Sequence, residues 1–238
     1  LRTLAAALCR VRPGQTVHVL PGTWTEAVIL GAFGDPSAPI TIQGEVRGGA
    51  GGPVLDGQGC HSFGLVLGEV ENIVVEGLAF QNFTDGGLYV FMAKDVTVRD
   101  CVFTGNGRAS VNSDFGGEGF GLIAANGEGI LIEGCTVTGN GPGPDQQAEG
   151  LMGTAINTFA LEDSVVRNNT ASNNTGAGIL VEDGVDVLVE GNTVTNNDVN
   201  VWAFGWWDSA IWLDGGRDVE VRSNTITGNL GPGIQVSD

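Results

Sequence analysis

The chain has 238 residues, of which 42% are hydrophobic and 40 are glycine. Its 10 Lys and Arg residues against 28 Asp and Glu residues give a formal charge of −18, and a field of that sign repels nucleic acid and anionic membrane surfaces. No run of about 18 apolar residues predicts a membrane-spanning helix, so we expect neither a nucleic-acid partner nor membrane insertion, although a salty habitat would also favour an acidic surface.

The first eleven residues, LRTLAAALCRV, form a short amphipathic pattern that predicts a helix ending near Cys9. No segment with the charged-then-apolar pattern of a signal peptide precedes it, which is typical of a trimmed chain. Four cysteines allow at most two disulfides, too few for a disulfide scaffold. Cys9 and Cys60 could pair in a secreted protein.

One nine-residue pattern occurs six times along the chain, as in NIVVEGLAF and DVLVEGNTV. The copies begin at residues 72, 95, 129, 163, 186 and 218, so the intervals are 23, 34, 34, 23 and 32 residues. This is a period of 23 with three insertions. Short alternating apolar runs separated by Gly, Asn and Asp predict two or three short strands per repeat. Stacked coils of this kind form a parallel β-helix.

The seventh position of each copy forms a column of like residues. Asn at this position tolerates a left-handed turn, and its amide can bond to the next coil. Buried thiols at the same position are interpreted as packing residues rather than as redox or metal-binding groups. The column reads Leu78, Cys101, Cys135, Asn169, Asn192 and Asn224.

The segments PGQTVHVLPGTWTEAVIL (13–30), APITIQGE (38–45) and PVLDGQG (53–59), together with the repeats, resemble the right-handed parallel β-helix proteins of the pectate-lyase-like superfamily. The resemblance spans nearly the whole chain. It implies an all-β fold with an N-terminal capping helix and three strands per coil. We expect one domain over 1–238, with the cap and first coil in 1–60 and repeated coils in 61–238. Lyases, hydrolases, epimerases and non-catalytic surface proteins share this fold.

In that superfamily, loops leaving the third strand form a polysaccharide-binding groove with the first strand. The three insertions, 107–118, 141–150 and 198–208, map to that corner. Side chains of a strand alternate between its two faces, so the strands that follow the corner have predictable inward and outward residues. The inward column is Leu88, Leu122, Ile156, Ile179, Ile211 and Ile234. The outward columns are Tyr89, Ile123, Asn157, Leu180, Trp212 and Gln235, and then Phe91, Ala125, Phe159, Glu182, Asp214 and Ser237.

Glu182 and Asp214 are the acidic members of the second outward column, on neighbouring coils ~4.8 Å apart. Two carboxylates that close raise one pKa, bind a cation or turn into water. The coil entered at residue 177 has no inserted loop, while insertions flank it. The sequence therefore predicts a notch with Leu180 and Glu182 as its floor. Two solvated acids on an acidic surface are the alternative interpretation.

Exposed Trp rings beside carboxylates suit a carbohydrate site, because flat rings stack on sugars while acids bind hydroxyls or transfer protons. Trp212 is the expected platform, although one or two of the four Trp residues in this region are expected to fold inward. The predicted catalytic residues are Glu182, Asp214 and Asp208. The predicted substrate-binding residues are Trp212, Trp206, Trp207, Trp202, Asn157, Phe159, Asp145 and Glu149.

Hydrolysis suits these acids better than elimination does. Glu182 with Asp214 fits the carboxyl separation of about 5 Å in retaining hydrolases, and Glu182 with Asp208 fits the roughly 6.5 to 9.5 Å of inverting ones. Lyases of the superfamily commonly use Arg or Lys as the base. The only Lys, Lys94, starts a different strand, and Arg108 and Arg217 are interpreted as ordinary surface charges.

We expect a polysaccharide or oligosaccharide partner and a secreted or cell-surface location. The expected cofactor is none, or Ca²⁺ held by Glu182 and Asp214, because oxygen ligands suit hard cations. A non-catalytic carbohydrate-binding, adhesive or structural β-helix is the alternative function. The sequence stops inside a coil, at GIQVSD. We therefore expect that the natural chain continues, or that end-to-end stacking covers the open coil.

Overall fold

The computed structural model describes residues 2–46, 51–108, 118–142, 152–199 and 209–237. Helix α1 (Leu4–Leu8) begins after Thr3, whose hydroxyl accepts a hydrogen bond from the Ala6 amide, and ends at Cys9. Leu4 and Leu8 are buried in the same core as the first coil, so the predicted capping helix is confirmed, although it is short. No helix within the described ranges is long and apolar enough to cross a membrane.

The described residues form three all-parallel sheets of eight strands, and each coil adds one strand to sheet A, then B, then C. Sheet A comprises β1 (Thr16–Val19), β4 (Ile40–Gly44), β7 (Glu71–Glu76), β10 (Lys94–Arg99), β13 (Leu131–Glu133), β16 (Glu162–Arg167), β19 (Val185–Glu190) and β22 (Glu220–Arg222). Sheet B comprises β2 (Gly22–Trp24), β5 (Pro53–Asp56), β8 (Ala79–Gln81), β11 (Val102–Thr104), β14 (Thr136–Thr138), β17 (Thr170–Ser172), β20 (Thr193–Thr195) and β23 (Thr225–Thr227). Sheet C comprises β3 (Val28–Leu30), β6 (Phe63–Gly68), β9 (Gly86–Phe91), β12 (Glu118–Ala125), β15 (Met152–Phe159), β18 (Ile179–Glu182), β21 (Ile211–Asp214) and β24 (Ile234–Ser237).

The six sequence repeats supply β7, β10, β13, β16, β19 and β22, and these strands are consecutive neighbours in sheet A. The prediction of one continuous coil is therefore confirmed. Two further coils precede the repeats, β1–β3 and β4–β6, and both begin before residue 61. The sequence analysis described one coil there, since the six aligned copies of the pattern begin only at residue 72.

The interior of the coil is apolar and closely stacked. Phe80 and Phe103 lie on successive coils with ring centroids 5.0 Å apart and nearly parallel planes. Cys101 and Cys135 are buried, with their sulfurs 3.3 and 3.4 Å from the carbonyls of Arg99 and Glu133, which agrees with a packing role. Cys9 and Cys60 are exposed free thiols, so the disulfide considered for them is not formed.

A column of asparagine side chains lines the corner between sheets A and B, as predicted. The amide of Asn169 donates to the side-chain oxygen of Asn192 at 3.0 Å, and Asn192 donates to Asn224 at 2.9 Å. The residue before each ladder position has a positive φ; the non-glycine cases Asp100, Asn168 and Ser223 have φ values of 52°, 54° and 54°. The corner therefore favours Gly, Asn or Asp, because these residues adopt the left-handed conformation at least cost.

A second asparagine ladder, which the sequence analysis missed, lines the corner between sheets B and C. Its amides are buried except for the partly buried last member, and the donor–acceptor distances range from 2.8 to 3.0 Å. Its signal in the sequence is the Asn that follows each sheet B strand from β11 onwards, in TGN, SNN and TNN triplets. The members of this ladder are Asn106, Asn140, Asn174, Asn197 and Asn229.

The outer face of sheet A carries a row of alternating charges. Arg167 donates to Glu133 at 2.9 Å and Arg222 to Glu190 at 2.9 Å. Each Arg on this row has a Glu as its register neighbour on the preceding coil. The row, hereafter the charge row, consists of Glu76, Arg99, Glu133, Arg167, Glu190 and Arg222.

Candidate functional site

Sheet C presents the predicted columns in register. Strand pairing aligns each member of a column with the next one, from β9 to β24. Tyr89 and Ile123 belong to a small apolar cluster separate from the core, which places the first column outside the coil. The inward column is fully buried as far as Ile211, whereas Ile234 is 51% exposed because β24 has a neighbour on one side only.

Glu182 and Asp214 are paired on the adjacent strands β18 and β21. Both side chains are partly exposed on the outer face of sheet C. Partial burial raises the pKa of Glu182 above its usual value, and the negative charges of Asp214 and Asp183 raise it further. The sequence prediction that this pair would meet on neighbouring coils is confirmed, whereas a catalytic role for it stays a prediction.

A chain of hydrogen bonds holds Asp214. The indole N–H of Trp212 donates to the Ser237 hydroxyl at 2.7 Å, and that hydroxyl donates to Asp214 Oδ1 at 2.7 Å. Ser237 belongs to the next strand, β24, so three neighbouring positions fix the orientation of one carboxylate. The sequence analysis placed Ser237 in the acidic column but assigned it no role, because hydroxyl orientation is not visible in a residue pattern.

Glu118, the first residue of β12, is absent from the predicted site residues. Its pKa is raised to about 7, first by burial and second by the negative charge of Glu182, two strands away in sheet C. A carboxyl group with that pKa is half protonated at neutral pH. Alternation could not have found it, because counting back from the inward Leu122 turns Glu118 inward, whereas Phe120, two residues after Glu118, packs in the outer cluster.

Two predicted surface residues are buried. Leu180 has no exposed surface, and Trp212 is only 3% exposed. The expectation that Leu180 forms an open floor and Trp212 an exposed platform is therefore wrong. Both do face outward from the coil, but alternation reports the direction of a side chain and not what covers it. Leu180 is flanked in register by Asn157 and by the large indole of Trp212.

Asn157 and Phe159, both predicted to bind substrate, lie on β15 beside the acid pair. Asn157 is buried, and its amide donates to the Thr154 hydroxyl at 3.3 Å. Phe159 is partly exposed and is the register neighbour of Glu182. The structure thus places an aromatic ring next to the acids, while substrate binding by these two residues stays a prediction.

The remaining predicted residues lie outside the described ranges. They belong to the second and third insertions, so the walls of the predicted notch are not described. These residues are Asp145, Glu149, Trp202, Trp206, Trp207 and Asp208.

The described residues do not supply a complete set of metal ligands. Within the described residues no group of three or more His, Cys, Asp or Glu side chains could hold an ion. Ca²⁺ takes about 6 to 8 oxygen ligands, and Glu182 and Asp214 alone supply only part of such a set. A Ca²⁺ site at this pair stays a prediction.

Cationic side chains are missing from the described strands of sheet C, which contain no Lys, Arg or His. Lys94, on sheet A, is 2.8 Å from Glu128. Arg108 donates to the Gly139 carbonyl at 3.3 Å. The acids on sheet C therefore face one another without a described cation among them.

Comparisons with known proteins agree with this architecture. The family model described as the right handed beta helix region matches residues 55–208. A search of curated protein sequences found no significant match. A search of solved structures matched 48 chains.

Three of these structures illustrate the range. Pectate lyase Pel9A superposes with a TM-score of 0.73 at 17% identity, covering 95% of this chain and 58% of that one. The GH136 lacto-N-biosidase from Eubacterium ramulus gives 0.64 at 14%, covering 94% and 48%. PfbA, a surface adhesin of Streptococcus pneumoniae, gives 0.55 at 15%, covering 98% and 71%. The chain thus spans about half the length of the first two proteins.

Similarity at such low identity shows the fold alone. The family match is stronger, because residues 55–208 are well over half of the chain. The three parallel sheets and the coil-by-coil strand order are what that family description requires. The chain belongs to the right-handed parallel β-helix family.

Proposed function

We propose that this protein binds a polysaccharide on sheet C and hydrolyses its glycosidic bonds at Glu182 and Asp214. The observation that carries the proposal is the register pairing of these two residues on the outer face of adjacent strands. Strands lie ~4.8 Å apart, which suits the carboxyl separation of about 5 to 5.5 Å in retaining glycosidases. The similar folds of a pectate lyase, a lacto-N-biosidase and an adhesin support a carbohydrate-active or adhesive role.

The environments of the two acids suggest different roles. The raised pKa of Glu182 favours its protonated form, so Glu182 would donate its proton to the leaving glycosidic oxygen. Asp214, oriented by the Ser237 hydroxyl, would attack the anomeric carbon and form a glycosyl ester. In the second step Glu182 would take a proton from water, whose oxygen then replaces Asp214 at that carbon. Atoms and charge balance, and both carboxyl groups return to their starting states.

Elimination is supported less well. A lyase must remove a proton next to a uronate and neutralise the uronate charge, commonly with a cationic side chain or Ca²⁺. The described strands of sheet C offer carboxylates and no Lys, Arg or His. Hydrolysis needs only the acids that are present.

The test is a polysaccharide panel assayed for new reducing ends and for unsaturated products. We expect reducing ends without unsaturation. Glu182→Gln and Asp214→Asn should each lower turnover by roughly 10²- to 10⁴-fold, while Glu220→Gln, which changes an exposed acid on strand β22 of sheet A, should have wild-type turnover. Wild-type turnover in both amide variants, with circular dichroism unchanged, would refute the assignment.

Adhesion without catalysis is the second candidate. The burial of Leu180 and Trp212 favours it, because the two residues expected to form the floor and the platform of a cleft offer almost no surface to a sugar. The fold similarity to a surface adhesin supports it too, and supports a secreted or cell-surface location. Under this alternative the wild-type protein binds glycan without turnover, and the two amide variants bind with the same affinity.

A further inference from the structure

The outer face of sheet C carries an aromatic strip on its N-terminal side. The rings of Phe63 and Tyr89 have centroids 5.3 Å apart, and those of Tyr89 and Phe91 are 5.5 Å apart, both pairs tilted. Tyr89 and Phe91 remain partly exposed, as does Phe159 two strands further on. Exposed rings held by their neighbours lose little conformational entropy on binding, which favours a preorganised surface.

The strip is collinear with the acid pair. Phe91 and Phe159 belong to the same outward column as Glu182 and Asp214. Phe91 and Phe159 are two strand spacings apart, ~9.6 Å, with only the methyl group of Ala125 between them. That distance is comparable to a disaccharide unit of an extended β-linked chain, so alternate sugars could stack on the two rings. The bound sugar chain would then pass from Phe159 directly to Glu182, its register neighbour.

The negative charge on the outer face of sheet C favours uncharged glycans over acidic ones. Glu182 and Asp214 lie at its C-terminal side, and the protein carries a net charge of −18. The described strands of sheet C contain no Lys, Arg or His to pair with a uronate, although such pairing is how proteins usually bind carboxylate groups. A polyuronate would therefore meet repulsion along the face, whereas an uncharged chain would not.

We infer that Tyr89, Phe91 and Phe159 form the binding track of an uncharged, extended glycan that runs along the coil axis towards Glu182 and Asp214. The inference rests on the proposed carbohydrate role of sheet C. It adds the substrate class and the direction of the chain, which neither the acid pair nor the fold specifies.

The test is calorimetric binding to the Glu182→Gln/Asp214→Asn double variant, which prevents turnover. The probes are oligosaccharides of β-linked glucose, mannose, xylose, galactose and N-acetylglucosamine, with oligogalacturonate and oligoalginate as charged probes. We expect binding of a neutral oligosaccharide with an affinity that is insensitive to salt. In the double-variant background, Phe91→Ala and Phe159→Ala should each weaken it by about 10-fold.

Two further variants keep this result interpretable. Phe91→Leu and Phe159→Leu keep apolar volume and lose the flat ring, so they should weaken binding like the Ala variants without disturbing the fold. Phe33→Ala removes an exposed ring outside the outward columns of sheet C, on a residue whose backbone bridges to Glu71 of sheet A, and should not change affinity.

The inference is overturned if the uronates bind more tightly than every neutral probe, if no neutral probe binds, or if the Leu variants bind like their parent. Failure of the proposed hydrolysis looks different. If the wild-type protein binds the neutral oligosaccharide through these rings and leaves it uncleaved, the binding role of the three aromatic residues is supported and the catalytic proposal is refuted.

Discussion

Replacing Glu118 by Gln is expected to remove a pH dependence of stability that the wild-type protein has between pH 4.5 and 7. The folded-state pKa of Glu118 is about 7, against a usual value of 4.5. Below pH 4.5 both the folded and the unfolded chain hold the proton. As the pH rises from 4.5 to 7, the unfolded chain releases it first, so the folded state loses stability through this window, and the loss levels off above pH 7.

The size of the effect follows from the same two values. A pKa difference of about 2.5 at about 1.36 kcal/mol per unit gives about 3 kcal/mol as an upper bound. Glu118 is partly exposed, and solvent screening lowers the figure. We expect the difference in unfolding free energy between Glu118→Gln and wild type to shift by about 1 to 3 kcal/mol in favour of the variant between pH 4 and pH 8.

Urea unfolding at several pH values between 4 and 8 measures this directly. Glu162→Gln, which removes an exposed acid on sheet A, is the matched control and should run parallel to wild type. Carboxyl NMR should show Glu118 titrating near neutrality, and Glu182→Gln should lower that pKa because the Glu182 charge is its second cause. Parallel curves for Glu118→Gln and wild type, or titration of Glu118 near 4.5, would refute the reasoning.

Two further predictions concern hydrogen bonds. Ser237→Ala removes the bond that orients Asp214, so kcat on the true substrate should fall about 10-fold with little change in KM; an altered KM with unchanged kcat would contradict it. Asn192→Ala breaks the buried ladder on both sides, since Asn192 accepts from Asn169 and donates to Asn224; urea unfolding should show a loss of about 2 to 4 kcal/mol, and a loss below 1 kcal/mol would show that water replaces the ladder bonds.

Much of the coil was predictable from spacing alone. The 23-residue period and the two-residue alternation together assign each outward residue to a column, which is why Glu182 and Asp214 could be paired from the sequence. The early coils β1–β3 and β4–β6 were not aligned with the repeats, which begin only at residue 72; eight residues separate β4 from β5, against two between β7 and β8.

The candidate site was less predictable, for reasons that differ between residues. Trp212 was placed on the correct face, but its burial depends on neighbours that alternation does not report. Glu118 ends an insertion whose path no periodicity describes, so its electrostatic link to Glu182 emerges only from the folded chain. Whether two residues that are two coils apart come close depends on how the chain packs. The column to which a residue belongs follows from its position in the repeat.

The charge row on sheet A has a consequence for assembly of the coil. A chain of similar repeats can dock a repeat onto the wrong neighbour, and the ladder of Asn169, Asn192 and Asn224 would tolerate such an error, since identical amides pair equally well in any order. The charge row would not. If one coil were skipped, Glu133 would face Glu190 or Glu76, and like charges directly opposite each other are destabilising. The asparagine ladder stabilises the contact between any two coils, and the alternating Glu and Arg residues determine which coils become neighbours.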